Sequence, residues 1–197
     1  MPQALAAKLI AATEWIGEDF DGIRMDDIAE VTGVPRATLY YYFSGKEDIL
    51  AYLLHGRLAD HREVIDAILR DTRSSTRSRL HAVLEGHVGV IASNPAAAQL
   101  LLLNLAKLGK FPDVRAAGDE ALLDPVRIVL ADGIRRREIR PVDVTLTAAA
   151  MCGAANNVAM LETSPLSPAE VTKRADGLLA LFWPALRRQP RPSTRRG

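Results

Sequence analysis

Apolar residues recur three and four positions apart along nearly the whole of this 197-residue chain, and no stretch alternates apolar with polar residues as a half-buried strand would. An all-α fold follows. Leu5, Leu9, Ala12 and Ile16 form the first stripe, with Trp15 and Phe20 adding bulk before Gly22 breaks it. Leu50, Leu54, Leu58, His61, Ile65 and Ile68 predict a much longer helix that opens at Glu47 and is interrupted at Ser74 and Ser75. The next helix carries Leu80, Val83, Leu84, His87, Val88 and Ile91. Asn94 and Pro95 end it and open another, with Leu101, Leu105 and Leu108 in a row, because proline suits a helix's first turn but not its interior. Residues 114–137 read as one helix with a basic end, where cations suit exposed carbonyls. The segment 144–161 is poor in charge and rich in Ala and Gly, so another helix can approach it closely. A last helix opens near Ser167 and Pro168, with Val171, Ala175, Leu178, Leu179, Phe182 and Leu186 on one face. From Arg187 onward a Pro/Arg/Ser tail has nothing to bury.

Charge and cysteine content exclude several functions. Twenty-five Lys and Arg against twenty-four Asp and Glu give a net charge of +1, so any nucleic-acid contact must come from a local patch. The single cysteine, Cys152, excludes an intrachain disulfide framework and a multi-thiolate zinc site. His55 and His61, like His81 and His87, are six apart and point to different helix faces, so no metal and no cofactor are expected. No apolar run approaches the length of a membrane span, and Met1-Pro2-Gln3 leads directly into an amphipathic segment, which predicts a cytoplasmic protein. Gly-rich phosphate loops, Ser/His/Asp or Cys/His signatures and paired-carboxylate motifs are not found, so the chain is not expected to be an enzyme.

Between Asp26 and Phe43 two short helical patterns flank Gly33, the spacing of a helix-turn-helix. Ile28, Ala29 and Val31 are expected to pack the first helix, Gly33 to make the left-handed turn, Val34 to plug the junction and Pro35 to start the second helix. Leu39 and Phe43 would face inward, leaving Arg36, Ala37, Thr38, Tyr40, Tyr41 and Tyr42 on the outside. Three of the chain's four tyrosines stand in that run. Their hydroxyls can bond phosphate oxygens while Arg36 reaches a guanine edge.

The residues Ile28-Ala29, Gly33-Val34, Thr38-Leu39-Tyr40, Tyr42-Phe43 and Lys46-Glu47 resemble the TetR (tetracycline-repressor-like) family of regulators. The resemblance covers roughly the first fifty residues; beyond them it rests on length and helix order. It implies a three-helix DNA-binding domain (1–46), a larger helical effector-binding and dimerisation domain (47–187) and a tail (188–197). It further implies a homodimeric repressor that a small molecule releases from a near-palindromic duplex operator. By position, Thr38, Tyr40 and Lys46 would hold the DNA backbone. Arg36, Ala37, Tyr41 and Tyr42 would approach base edges or flanking phosphates, with Arg24 alongside at the start of the motif. Residues 1–46 hold four Lys and Arg against seven Asp and Glu, a net charge of −3, which predicts a shallow salt dependence of operator binding.

Within the larger domain, His87, Asn104, Met151, Asn156 and Met160 are the polar or soft side chains in apolar helices that a largely apolar effector could meet. Ala149 and Gly153, with Leu179 and Leu186 of the last helix, are candidates for a four-helix dimer interface. The rival reading is a helical small-molecule-binding protein or enzyme with an incidental helix-turn-helix.

Overall fold

The computed structural model describes residues 1–93, 95, 116–161 and 164–188. Among these, helices account for every regular element except one bridge pair, Ile139 with Arg187. In chain order they are α1 (Gln3–Ala11), α2 (Thr13–Glu18), α3 (Met25–Thr32), α4 (Arg36–Tyr42), α5 (Lys46–Arg70), α6 (Thr76–Ser93), a π-helical turn (Asp119–Leu123), α7 (Asp124–Arg135), α8 (Val144–Met160) and α9 (Pro168–Leu186). The predicted helix over Leu101, Leu105 and Leu108 lies outside the described residues.

Two hydrophobic cores divide the molecule, and α5 runs from one to the other. The first is built from Leu5, Leu9, Ile16, Ile28, Leu39, Phe43, Ile49 and Leu50, with Leu58 at its far edge. The second gathers Ile65, Leu80, Leu84, Val88, Leu130, Met151, Ala155 and Leu178. Ala121 and Leu122 of the π-helical turn pack into the first core and Leu123 against the second, so that turn lies at the joint between them. The described part of 114–137 is therefore not one regular helix: α7 follows the π turn and ends at Arg135. Cys152 donates its thiol hydrogen to the Leu122 carbonyl at 3.3 Å, giving the turn a partner from α8.

The first predicted helix divides at Ala12 (φ −89°, ψ 1°), yet Leu5, Leu9, Ala12 and Ile16 all stay buried. Ser167 caps α9 by accepting from the Glu170 N–H at 3.4 Å, while the Glu170 carboxylate accepts from the Ser167 N–H at 2.9 Å. That bonding holds the Glu170 carboxyl below its usual pKa. Where α6 meets α7, a Cβ on Gly133 would stand 2.5 Å from a Thr76 side-chain atom, so only glycine permits this approach. Arg79 and Asp132 form a buried ion pair across the same contact at 2.6 Å, and Arg135 and Arg136 also reach that carboxylate.

Two expectations about facing need correction. Val31 is 47% exposed, and Thr32 takes its place inside, bonding back to the Ile28 carbonyl at 2.6 Å. On an eight-residue helix the buried positions Met25, Ile28 and Thr32 share one side, and Val31 falls on the other. Leu179 and Leu186 are each 2% exposed within a single chain, so they belong to the inner face of α9 and leave nothing for a partner subunit.

Candidate functional site

Gly33 adopts φ +60° and ψ 30°, the left-handed turn that a helix-turn-helix requires and that glycine adopts without a Cβ clash. Asp27 accepts from the Arg24 N–H at 2.7 Å, which satisfies one of the first orphan donors of α3. Lys8 of α1 donates to the Gly33 carbonyl at 3.1 Å and fastens the turn from behind. Pro35 is the cap rather than the first residue of α4. Leu39 and Phe43 anchor α4 to the core, and the opposite face is left to solvent.

That face presents Arg36, Ala37, Tyr40, Tyr41 and Tyr42, with Thr38 half-buried at its edge. Tyr41 is 80% exposed and meets the Tyr42 ring edge-on, with centroids 4.8 Å apart. Arg36 pairs with Asp26 of α3 at 2.8 Å, and its guanidinium lies 5.3 Å from the Tyr40 ring centroid. Arg36 is thus held across the mouth of the motif by a carboxylate and an aromatic face, a preorganised donor fork flanked by hydroxyls. Arg24 is exposed at the N-terminus of α3.

Lys46 is placed differently. Its ammonium donates to the carbonyls of Phe20, Asp21 and Ile23 at 2.8, 2.9 and 2.9 Å, which uses all three of its hydrogens. It also sits 5.1 Å from the Phe20 ring centroid. This side chain fastens the loop between α2 and α3 to the first turn of α5, a role that no periodicity or motif reveals.

In the larger domain the structure brings His87 and Asn156 together. His87 is buried on α6, and its Nε2 lies 2.7 Å from Oδ1 of Asn156 on α8, so Nε2 carries the hydrogen and Asn156 accepts it. Burial pushes the imidazole pKa below its ordinary value, so the ring is neutral. Met151 is fully buried in the second hydrophobic core. Asn104 and the Met160 side chain lie outside the described residues. Burial also pushes the Cys152 thiol up to about 12, which leaves it unreactive as a nucleophile. Ala149 faces solvent and Gly153 is half-buried.

A helix-turn-helix whose second helix shows an arginine and three tyrosines to solvent has the donors and rings that contact with duplex DNA needs. Residues 9–53 match the bacterial regulatory proteins of the tetR family, so this segment is the N-terminal DNA-binding domain of that family. The chain is also 28% identical over 141 residues to the fatty acid metabolism regulator protein of Bacillus subtilis strain 168, covering 69% of this chain and 71% of that one. The fatty acid degradation regulator FadR of Bacillus halodurans has a similar fold (TM-score 0.75, 19% identity, 91% of this chain and 95% of that one). So does FadR of Bacillus subtilis in complex with stearoyl-CoA (TM-score 0.72, 22% identity, 90% and 97%). No helix among the described residues is long and apolar enough to cross a membrane.

Proposed function

We propose that this regulator represses by holding a near-palindromic operator through the outer face of α4, and that a long-chain acyl effector releases it. Arg36, Ala37 and Tyr41 read base edges, Thr38, Tyr40 and Tyr42 hold phosphates or sugars, and Arg24 extends the contact at the start of α3. Lys46 acts on DNA through the first turn of α5, whose position it sets. The observation that carries the effector class is the reach of the likeness to the fatty acid metabolism regulator. Its 141 aligned residues exceed the 45 residues of the DNA-binding match, so it extends into the helical domain.

The effector enters among α5 to α8, near the His87–Asn156 pair, in a domain whose described core is almost wholly apolar. It can weaken DNA binding only by its differential affinity for two spacings of the recognition helices. A two-fold homodimer supplies those two helices. The outer stripe of α8, with Leu146, Ala149, Ala150 and Gly153, and the outer stripe of α9, with Ala180 and Leu181, form its interface. Leu146 and Leu181 are 68% and 75% exposed in the single chain.

The test is operator capture from fragmented genomic DNA, followed by titration with stearoyl-CoA and with free CoA. Release by the acylated thioester and not by CoA is the expected result. Thermal stabilisation by stearoyl-CoA with unchanged operator affinity would rule the proposed mechanism out.

A further inference from the structure

The strongest charge in the molecule is not at the reading head. Residues 70–79, 132–143 and 186–188 together hold ten arginines, no lysine and four carboxylates. The fold brings these three segments to one pole. Arg136 donates to the carbonyls of Thr72 and Ser74, Arg140 reaches the Ala185 carbonyl, and Ile139 bridges to Arg187. The pole stands at the end of α5 opposite the DNA-binding domain. The 25 residues of α5 put about 37 Å between them.

The carboxylates of the pole are already engaged. Asp71 accepts from Ser74 and from the N–H of Arg73 and Ser74, which lowers its pKa. Asp132 is shared by Arg79, Arg135 and Arg136. Glu138 takes the Thr76 N–H and Arg136, and Asp143 takes the Leu146 N–H. Arg77 lies over the Trp183 ring and Arg140 on the Ala185 carbonyl, while Arg70, Arg73, Arg137, Arg187 and Arg188 remain exposed with no side-chain partner among the described residues. Three more arginines follow in the sequence, at positions 191, 195 and 196.

Helix C-termini favour cations, and that alone accounts for Arg135 and Arg136. It does not account for Arg137. This residue stands at φ +61° just past α7, where glycine is the unstrained choice, so the backbone is strained to keep an exposed guanidinium there.

We propose that the arginine pole is a second DNA-binding surface, which takes the phosphate backbone of a separate duplex segment without reading its sequence. Exposed guanidinium forks fit bidentate contact to successive phosphates, and the absence of lysine fits that chemistry better than diffuse charge. One duplex cannot reach both ends of the molecule over this distance, because DNA is stiff on that scale. The chain therefore bridges two segments, reading one and gripping the other. This use of the pole rests on the DNA-binding reading for its biological sense, but its detection does not.

The test uses the full-length protein and a fluorescent 30-base-pair duplex of random sequence, with anisotropy read across a salt series. Five unpaired guanidiniums predict a log–log salt slope of about −4.5 for each pole. The variant R137G/R187Q/R188Q should bind this duplex about tenfold more weakly at low salt. It should keep its operator affinity, and the R137G change alone should leave Tm equal or higher. Tyr41→Ala should lose the operator and keep the random duplex. Beads carrying one duplex should recruit a second labelled duplex with wild type and not with the pole variant. Unchanged random-duplex binding by the pole variant overturns the proposal. So does binding of polyglutamate or of anionic phosphatidylserine vesicles in preference to duplex. If the operator survives Tyr41→Ala while the pole results hold, the reading of α4 fails and the pole stands.

Discussion

The two ends of the molecule use their cations in opposite ways. In the DNA-binding domain Lys8 and Lys46 are turned inward onto backbone carbonyls, and Arg36 is bound to Asp26. At the far pole the carboxylates are engaged by backbone N–H groups and a few arginines, and five guanidiniums are left outside. A domain that must fit one DNA site gains from rigid, internally fastened charges, since a loose side chain has to be ordered on binding. A surface that grips any duplex gains from free ones. Net charge by segment thus says little about where charge is available, and fastening is what separates the two ends.

The sharpest way to break this contrast is to unfasten the pole from within. Removing one partner of the buried Arg79–Asp132 pair strands a charge in the core. Asp132→Ala should cost about 3–5 kcal/mol in chemical denaturation, whereas the paired change R79M/D132L should cost far less. Equal losses in the two would mean the pair is not the fastening it looks to be.

At the other end, Lys46→Ala leaves three loop carbonyls without their donor and should destabilise the N-terminal domain by about 2 kcal/mol, with operator affinity falling in step. Lys46→Arg should recover part of the stability. If Lys46→Ala instead lowers operator affinity with the melt unchanged, the ammonium contacts DNA directly.

How much of this was legible in the sequence depended on whether angle or chemistry decided. The stripe Leu80, Val83, Leu84, His87, Val88 and Ile91 is buried throughout, because helical spacing alone fixes which side faces the core. Gly33 was legible because only one residue type makes that turn cheaply. Val31 misled, since hydrophobicity was allowed to outweigh its place on the helix. Leu179 and Leu186 misled for a related reason: one stripe cannot face both the core and a partner. The roles of Lys46 and of the π-helical turn left no local signal, because both depend on contacts between segments far apart in sequence, such as Lys46 with Phe20 and Cys152 with Leu122.

The buried His87 gives a pH test of the second core. Its pKa is lowered in the folded state, so between the ordinary value of 6.5 and the lower folded value the unfolded chain binds the extra proton. Stability from this group is complete above about pH 6.5 and declines as pH falls, by at most about 1.4 kcal/mol per pH unit. His87→Gln keeps a donor for Asn156 and removes the titration, so its Tm should fall less than that of wild type between pH 7 and pH 5.5. Parallel curves would show that His87 is not the group responsible.

The smallest expected effect bears most directly on the comparison. The Arg36–Asp26 pair is more than half exposed on both sides, so Asp26→Asn should change stability by under about 0.5 kcal/mol. It also removes a negative charge from a domain of net −3 and frees the guanidinium beside Tyr40. If fastening serves fit, the variant should bind random duplex more tightly and discriminate operator from random sequence less well. A gain in both affinity and discrimination would mean Asp26 only competes with DNA for Arg36, and the contrast between a fastened and a free end would lose its functional meaning.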